Sequence, residues 1–564
     1  MPKNWQLREL DAPVRELEIL AESLGISSLT AGLLWQRGHK SLAAMDVYLS
    51  PHLRHLSQPV AYPGVEDAAR IVVDSLGRGE QLAVWGDYDV DGVTATALVV
   101  DFLAARGFTA MHHIPSRLQE GYGLNVAGIE ELAQKGVKLL LTVDCGIAAM
   151  EEIKRAKELG LSVVVTDHHL PGVCLPEACA LCNPKLGDAP CEHLAGVGVA
   201  FYLMAAVNRL LPGEPVDMRQ FLDLVALGTL ADVVELTGEN RILAKNGLLL
   251  IKEASRPGLF ALKEIAGYPV AADLGAGQVV FGLAPRINAA GRLGLADAAL
   301  SLLLAKTRER ARPLAAELDR LNVDRRREEE RITEEALTQA ETQADRQGLV
   351  LYGAHWHPGV VGIVASRVVE KFYKPALVLT LEEGLVKGSG RSIREIDLYR
   401  ALADCGEILT GFGGHRQAAG LRLPPGNLEA LRDRFDAAVG AQTGDTPPAP
   451  SLILDAEVGF DRLDFTLLKE LDLLQPFGMG NPEPVFLSPK AEVRGYRTFG
   501  KNHVLLSLRD EASGVSLSAK AWRMAEQLKP ADLTRSIRIA YTPRIDTFGG
   551  QATIELHLKD WQPA

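Results

Sequence analysis

Short runs of apolar residues alternate with amphipathic stretches through the first half of the chain. Leu82–Trp85, Val137–Val143 and Leu161–Thr166 are largely apolar runs of strand length, separated by stretches with the apolar spacing of helices. Such runs are typical of strands that are buried on both faces of a parallel sheet. The alternation therefore predicts βαβ units, in which helices cover both faces of the sheet.

The pattern changes twice in the second half. Residues 314–347 lack proline and glycine and carry dense mixed charge, which predicts a long connecting helix. Leu349–Gly353 and Ala376–Thr380 then begin a second, smaller α/β unit. From Ser451 onward, short strands alternate with turn signals, as is typical of a small β-barrel such as an OB-fold.

The predicted fold class is α/β: a parallel-sheet domain and a smaller α/β domain joined by a long helix, followed by an OB-like barrel. The predicted limits are a helical lead-in at 1–62, the first α/β domain at 63–305, the connector at 306–347, the second α/β domain at 348–440, a linker at 441–450 and the barrel at 451–564. Several domains are expected because 564 residues are too many for one core.

Composition narrows the function only slightly. The net charge of −12 argues against a nucleic-acid-binding protein that uses its whole surface, but local basic grooves can still bind nucleic acid. The first residues lack the apolar segment of a signal peptide, so we expect a cytoplasmic protein. Four clustered cysteines at 174–191 could form a metal site or a redox switch, although their spacing favours ordinary thiols.

Acidic and imidazole side chains directly follow the three predicted strands of the first domain. In chain order these side chains are Asp87, Asp89 and Asp91; Asp144; and Asp167, His168 and His169. Asp232, further along, lies between two hydrophobic stretches and needs a partner if it is buried. Because ligands of open α/β sheets bind at the carboxyl ends of the strands, we expect these groups to converge.

Convergence of these groups predicts a two-metal hydrolase site. A D-x-D-x-D run alone is more often a solvated acidic turn. Several convergent carboxylates, however, repel one another strongly unless cations neutralise them. Carboxylate oxygens suit Mg²⁺ and Mn²⁺, and two such ions can activate a water and neutralise charge on a phosphoryl group.

The motifs around these residues resemble those of the DHH phosphoesterase superfamily. The matching segments are GDYDVDG at 86–92, VDCG at 143–146, DHH at 167–169, GTLADVV at 228–234 and, for the associated DHHA1 domain, GGHRQAAG at 413–420. The segments IPSRLQEGYGL, APRINAAGRLG, HPGVVGIVASR and PFGMGNPEPVF are similar to those of the superfamily's single-strand-specific 5′→3′ DNA exonucleases.

The resemblance implies an enzyme of DNA recombination and repair that degrades single-stranded DNA to mononucleotides, with Mn²⁺ or Mg²⁺ as cofactor. The metal ligands that it implies are Asp87, Asp89, Asp91, Asp144, His168 and Asp232. Asp167 would orient the site, and His169 would contact the scissile phosphate or the leaving group.

The same resemblance implies contacts with the DNA strand. They are Arg117, Tyr122, Arg286 and Arg292 in the first α/β domain, and Ser389, Arg391, Arg394, His415 and Arg416 in the second. Arg117 and Arg286 are the candidates for recognition of the 5′ phosphate. The barrel would grip DNA further along, through basic residues and aromatics such as Phe499, Trp522, Tyr541 and Phe548. A helicase and a single-strand-binding protein are the expected partners of a monomeric enzyme.

Two other functions fit parts of the sequence. A small-substrate DHH phosphoesterase, acting on pyrophosphate or short oligonucleotides, would use the same chemistry, but it needs neither a barrel nor a long connector. A metal-free DHH scaffold would serve only to bind other molecules, but it would have lost several of the acids, and all of them are present here.

Overall fold

The computed structural model describes residues 3–116, 120–292, 295–444, 448–530, 536–547 and 550–564. The chain forms two compact units. The larger unit combines Trp5–Leu318 with Ile453–Ala564, and the smaller unit comprises Asp319–Leu452 with the N-terminal residues through Asn4.

The first α/β domain lies in the larger unit and follows the N-terminal helices. The strands through residue 182 are β1 (Asn4–Leu7), β2 (Gln81–Gly86), β3 (Ala110–His113), β4 (Val137–Val143), β5 (Ser162–Thr166) and β6 (Ala180–Cys182). The helices through residue 341 are α1 (Val14–Leu24), α2 (Ser28–Gln36), α3 (Leu42–Leu49), α4 (Val65–Gly77), α5 (Val90–Ala105), α6 (Val126–Gln134), α7 (Met150–Glu158), α8 (Gly196–Leu210), α9 (Leu222–Ala231), α10 (Gly238–Glu253), α11 (Pro257–Ile265), α12 (Ala276–Gln278), α13 (Ala284–Arg292), α14 (Ala296–Leu304) and α15 (Arg308–Glu341).

Strands β2 to β6 form one parallel sheet in the order β3–β2–β4–β5–β6. The central strands are buried almost throughout, because helices cover both faces of the sheet. This parallel sheet confirms the predicted fold class of the first domain. The short edge strand β6 was not predicted, because its three residues lie within the cysteine-rich stretch.

The local predictions need three corrections. The acidic run Asp87–Asp91 between two glycines predicts a loop, but helix α5 begins at Val90, so Asp91 lies in its first turn. The basic, glycine-containing composition of 284–294 predicts a loop, but the segment is helical through Arg292, because its alanines and arginines favour a helix despite Gly291. The predicted linker at 441–450 is helical as far as Thr443.

The smaller unit contains a mixed sheet. Its elements, continued to residue 454, are β7 (Leu349–Tyr352), α16 (Val361–Phe372), β8 (Ala376–Glu382), β9 (Leu385–Arg391), α17 (Leu398–Ala403), β10 (Gly411–Gly414), β11 (Ala418–Leu423), α18 (Leu428–Thr443) and β12 (Ser451–Leu454). The sheet order is β10–β11–β9–β8–β7, in which β7 and β8 are parallel and the other pairs are antiparallel. The division between the units falls within the connecting helix α15, at Asp319.

The C-terminal part of the larger unit is a closed barrel. Its elements are β13 (Ala456–Glu457), α19 (Phe465–Leu473), β14 (Phe486–Leu487), β15 (Ala491–Phe499), β16 (His503–Asp510), β17 (Ser516–Ala521), β18 (Ile537–Asp546) and β19 (Thr553–Pro563). Pairing runs from β15 through β16, β17, β19 and β18 back to β15, which closes the ring. Closure protects the strand edges of the ring. The predicted OB-like barrel is confirmed.

The N-terminal helices and the barrel share one hydrophobic core. Leu34 of α2 and Met45 of α3 are fully buried in the same cluster as Leu506 and Leu556 of the barrel. The residues at the start of the chain are therefore an integral part of the barrel domain. No single helix in the described ranges is long and apolar enough to cross a membrane. The bent pair α1–α2 meets those criteria together, and its apolar side chains contribute to this core.

Truncation of Leu34 should loosen the barrel as well as the helices. We expect Leu34→Ala to destabilise the larger unit by about 2–5 kcal/mol, the usual cost of a cavity in a well-packed core. Hydrogen–deuterium exchange should accelerate in both α2 and β16. Val14→Ala, at a position that is 72% exposed, is the matched control and should leave exchange unchanged. Faster exchange confined to α1–α3 would contradict a shared core.

Candidate metal centre

Four neighbouring strands of the parallel sheet end in register. Gly86 pairs with Val143, Val143 with Thr166, and Thr166 with Cys182. The next residues along the four strands are therefore neighbours at one edge of the sheet. These residues are Asp87, Asp144, Asp167 and Asn183.

Helix N-termini hold two further carboxylates at this edge. Asp89 caps α5 and accepts hydrogen bonds from the backbone N–H groups of Asp91 and Gly92, at 2.9 and 3.1 Å. Asp91 accepts from Gly196 and Val197 at the start of α8, at 2.6 and 2.9 Å. Free N–H groups and the helix dipole both favour a carboxylate at such a position.

Two glycines allow helices to approach these carboxylates closely. A Cβ at Gly196 of α8 would lie 2.6 Å from the Asp144 side chain. A Cβ at Gly228 of α9 would lie 2.7 Å from Oδ1 of Asp91. No larger residue fits at either position without displacing the carboxylate, so α8 and α9 define one wall of the site.

His168 faces three carboxylates. Its Nε2 lies 3.1 Å from Asp144 Oδ1, 3.6 Å from Asp232 Oδ2 and 3.9 Å from Asp91 Oδ2. The Asp144 oxygen and the imidazole nitrogen are buried and make no hydrogen bond. Two such acceptors facing each other are the arrangement that a cation stabilises.

The potential ligand atoms form overlapping groups, within each of which all atoms lie no more than 4.8 Å apart. The groups are Asp91, His168 and Asp232; Asp87, Asp89 and Asp144; and Asp144, His168 and His169. Oxygen-rich sets with one imidazole suit Mn²⁺ and Mg²⁺. The residues present therefore fit a divalent-metal centre.

Burial and mutual repulsion disfavour charge on these acids in the absence of a cation. Burial raises the pKa of Asp91, and Asp232 and Asp89 raise it further. The pKa of Asp144 is shifted upward for the same two reasons. The pKa of Asp232 rises to about 7, through burial and the charge of Asp89. Burial lowers the pKa of His168 to about 3, so its imidazole is neutral at physiological pH and can act as a ligand.

Asp167 serves a different purpose from the other acids. Its carboxylate accepts backbone N–H groups from Ile147, His168 and His169, and it lies 2.7 Å from Nδ1 of His169. Although burial opposes ionisation, these hydrogen bonds outweigh it and lower the pKa of Asp167. The same hydrogen bond overcomes the effect of burial on His169 and raises its pKa. Asp167 thus orients the DHH segment and favours the charged form of His169.

Backbone strain marks two positions in the site. Asp144 and Val233, the residue after Asp232, both adopt a left-handed conformation with φ of 61°. That region is unfavourable for non-glycine residues, especially a β-branched one. Such strain persists where the surroundings force it, and it often accompanies function.

The remaining candidates in this domain differ in what they contact. The hydroxyl of Tyr122 lies 3.4 Å from Nε2 of His169. Arg292 lies close enough to Asp89 to favour its ionised form. Arg286 is buried and donates to the carbonyl of Gly282 in its own helical segment. Arg117 lies outside the described residues.

The candidates in the smaller unit lie on β9 and the segments near it. Ser389 and Arg391 are half-buried on β9, whereas His415 and Arg416 are exposed after β10. Arg416 donates to the carbonyl of Arg394, which is itself exposed. The exposed members form a basic surface on this unit.

Two site residues were missed from the sequence. Lys185 donates through Nζ to the carbonyl of His168, and Asn183 donates to the carbonyl of His169 at 2.9 Å. Together they fix the backbone of the DHH segment. The available signal was the Asn-Pro-Lys turn after the short strand β6, which the surrounding cysteines obscured.

The four clustered cysteines at 174–191 are free thiols. All six cysteines of the chain are free, and Cys174 and Cys179 are exposed whereas Cys182 and Cys191 are buried. Among the described residues, no group of potential metal ligands includes a cysteine.

The barrel carries an aromatic group at its surface. Trp522, which is 47% exposed, lies 5.4 Å from Phe499 and 4.9 Å from His503 between ring centroids. Tyr541, by contrast, is fully buried and donates to the carbonyl of Val458, so it belongs to the core and cannot stack on a base. Phe548 lies outside the described residues.

Comparison with known families identifies all three major domains. The chain matches the DHH family, N-terminal domain, over residues 81–229, the DHHA1 domain over 345–441 and the RecJ OB domain over 454–560.

Two of the similar proteins have the same name. The single-stranded-DNA-specific exonuclease RecJ of Dickeya dadantii is 36% identical, over 98% of both chains. The RecJ of Bacillus subtilis is 38% identical over 90% of this chain, which spans 65% of that relative's length.

Solved structures agree with these matches. RecJ from Thermus thermophilus in complex with Mn²⁺ superposes with a TM-score of 0.86 at 33% identity, covering 100% of this chain and 80% of that one. The same protein in complex with Mg²⁺ has a TM-score of 0.78 at 32% identity, covering 100% and 78%. The chain therefore belongs to the RecJ family, with a DHH domain, a DHHA1 domain and an OB domain in that order.

Proposed function

We propose that this protein is a metal-dependent exonuclease that degrades single-stranded DNA from the 5′ end to mononucleotides, in DNA recombination and repair. The observation that carries the proposal is the convergence of five carboxylates and a neutral imidazole at one sheet edge. The named activity of the relatives supports the substrate.

Mn²⁺ or Mg²⁺ would be held by Asp87, Asp89, Asp91, Asp144, His168 and Asp232. When bound, two such ions supply an activated water and charge neutralisation at the phosphoryl group. The group that contains Asp91 and the group that contains Asp87 would each hold one ion. Asp144 lies within reach of both sets.

The DHH segment supplies the proton chemistry. Asp167 engages Nδ1 of His169, so Nε2 is the ring nitrogen that does not face Asp167, and the Tyr122 hydroxyl lies 3.5 Å from Nδ1 and 3.4 Å from Nε2. Because Asp167 raises the pKa of His169, the imidazolium can donate a proton from Nε2 to the leaving oxygen. Lys185 holds the backbone of His168 and adds positive charge near Asp167 and Asp232.

Two surfaces would bind the strand beyond the metal centre. Trp522, Phe499 and His503 offer rings on which bases can stack, with the exposed Arg497 and Lys501 nearby in sequence. In the smaller unit, Ser389, Arg391, Arg394, His415 and Arg416 would contact phosphates. In the larger unit, Arg117 and Arg286 would recognise the 5′ phosphate, and Tyr122 and Arg292 would contact the strand.

We further propose that the enzyme acts as a monomer in the cytoplasm. A helicase that opens duplex DNA and a protein that binds the exposed strand would be its natural partners, because its substrate is single-stranded.

A nuclease assay separates this function from a small-substrate phosphoesterase. A 3′-labelled single-stranded DNA oligomer is incubated with Mn²⁺ or Mg²⁺, with EDTA and a blunt duplex as controls. A metal-dependent ladder of shortening labelled products, with the duplex intact, is expected. Hydrolysis of pyrophosphate or dinucleotides without degradation of the oligomer would instead support the small-substrate enzyme.

Removal of one central carboxylate should abolish metal binding and stabilise the metal-free protein. Asp144→Asn relieves repulsion among buried acids. We therefore expect the midpoint of thermal unfolding without metal to rise by a few degrees. A change of about 1 kcal/mol in the free energy of unfolding shifts the midpoint by roughly 2–4 °C. The rise in midpoint on addition of Mn²⁺ should disappear, together with hydrolysis.

The matched control is Asp510→Asn in the barrel. Asp510 is equally buried, but backbone N–H groups of Phe460 and Ala512 outweigh the effect of burial and lower its pKa. Its substitution should lower the unfolding midpoint and preserve the response to Mn²⁺. An unchanged response to Mn²⁺ in Asp144→Asn would remove Asp144 from the metal centre.

Metal affinity should depend on pH below neutrality. The pKa of Asp232 is about 7 in the folded protein, whereas its ordinary value is 3.8. Between pH 3.8 and 7, the folded state therefore binds more protons than the unfolded state. This carboxyl therefore makes the metal-free protein less stable as pH rises towards 7. Because Mn²⁺ requires the ionised form, its affinity should fall by about tenfold per pH unit below 7 for each proton displaced. Calorimetric titration at pH 6, 7 and 8 tests this, and equal affinities at pH 6 and 8 would contradict it.

A further inference from the structure

A segment of the barrel domain contacts the loop that carries Asp232. This loop, Asp232–Thr237, joins α9 to α10 and is called the Asp232 loop. The contacting segment, Phe477–Asn481, is called the glycine turn. The backbone N–H of Leu236 in the loop donates to the carbonyl of Met479 in the turn at 2.8 Å. Leu236 itself is buried.

The approach is close enough to require glycine in the turn. A Cβ at Gly480 would lie 3.1 Å from both Cβ of Glu235 and Cγ2 of Thr237. Gly480 also has a φ of 71°, which favours glycine. A Cβ at Gly478 would lie 2.8 Å from Cδ1 of Leu236. Any movement of the turn is therefore transmitted directly to the Asp232 loop.

Asn481 holds the turn in place. It is buried, and its backbone exchanges hydrogen bonds with Gly478, at 2.9 and 3.2 Å. Its side-chain amide donates to the carbonyls of Leu474 and Pro476, at 2.9 and 2.8 Å. Its side-chain oxygen accepts from the hydroxyl of Tyr48 at 2.6 Å and from Nε of Arg37 at 3.1 Å. The glycine turn is thus anchored to the N-terminal helices.

Arg241 secures the other end of the Asp232 loop. It lies in the first half of α10, is buried, and stacks its guanidinium 3.8 Å from the ring centroid of Tyr48. It also donates to the carbonyls of Leu473 and Leu474, both at 2.9 Å. The barrel domain therefore contacts the loop at Leu236 and contacts the first turn of α10 at Arg241.

We propose that the glycine turn is a positioning element for Asp232 and that the barrel domain thereby contributes to metal binding. The proposal rests on the metal centre of the proposed function and assigns the barrel a role beyond binding DNA. The left-handed Val233 directly after Asp232 requires an external constraint of this kind. Displacement of the turn would move the Asp232 carboxylate relative to Asp91 and His168.

Substitution of one glycine tests the proposal, because the barrel offers a matched control. Gly514 has a φ of 73°, close to that of Gly480, but a Cβ there would meet nothing nearer than Nη2 of Arg509 at 3.6 Å. Gly480→Ala and Gly514→Ala therefore carry similar backbone strain, and only the former pushes on the Asp232 loop. Gly478→Ala, which lacks a positive φ and meets only the side chain of Leu236, is a second variant without the backbone strain.

The measurements are Mn²⁺ affinity by calorimetry, the unfolding midpoint without metal, and kcat and KM on single-stranded DNA. We expect Gly480→Ala to weaken Mn²⁺ binding by about ten- to hundredfold, because mutation of residues that orient a metal ligand has an effect of this size. It should also lower kcat with little change in KM. Gly478→Ala should show a smaller loss of the same kind. Gly514→Ala should lower the unfolding midpoint through the backbone strain that it shares with Gly480→Ala, but it should match the wild type in Mn²⁺ affinity.

The proposal would be overturned if Gly480→Ala and Gly478→Ala both bound Mn²⁺ as tightly as Gly514→Ala does. If Gly480→Ala fails to fold, Gly478→Ala decides on the same readout. Wild-type protein that binds Mn²⁺ without degrading DNA would refute the proposed function alone, because the comparison of affinities would still stand. Wild-type protein that binds no Mn²⁺ would overturn both proposals.

Discussion

Repulsion among buried carboxylates is the constraint on which the first α/β domain depends. Folding brings six aspartates to one edge of a sheet, where burial already raises the pKa of Asp91, Asp144 and Asp232. Backbone N–H groups at the starts of α5 and α8 compensate part of this cost. The remainder requires cations, because uncompensated buried charge is strongly unfavourable. The acids that bind divalent ions therefore make the metal-free protein less stable.

Support for this site comes from distant parts of the chain. Glycines at 196 and 228 allow two helices to press on the carboxylates, and a glycine turn of the barrel contacts the loop of Asp232. The N-terminal helices contribute by anchoring that turn and by sharing the core of the barrel. The larger unit is therefore a single scaffold around the metal centre, although its parts lie at opposite ends of the sequence.

Much of this could be predicted from local signals. The strand runs before Asp87, Asp144 and Asp167 indicated the parallel sheet, and the sheet topology brought the acids together as expected. The role of Asn183 and Lys185 was missed, because β6 is too short to give a strand signal and the Asn-Pro-Lys turn lies among cysteines. The contact between the glycine turn and the Asp232 loop joins residues about 240 positions apart and is made by backbone atoms. Side-chain patterns therefore gave no sign of it. The sequence predicted that the first 62 residues are helical, but not that these helices pack against the barrel.

The most direct test of the central claim is a titration of the purified protein with Mn²⁺, monitored by electron paramagnetic resonance. Two ions held about 3.5–4 Å apart would be magnetically coupled. The expected result is binding of two ions per chain with the spectrum of a coupled pair, which is lost in Asp144→Asn. Binding of a single uncoupled ion, or of none, would contradict the assignment of the carboxylate cluster as a two-metal centre.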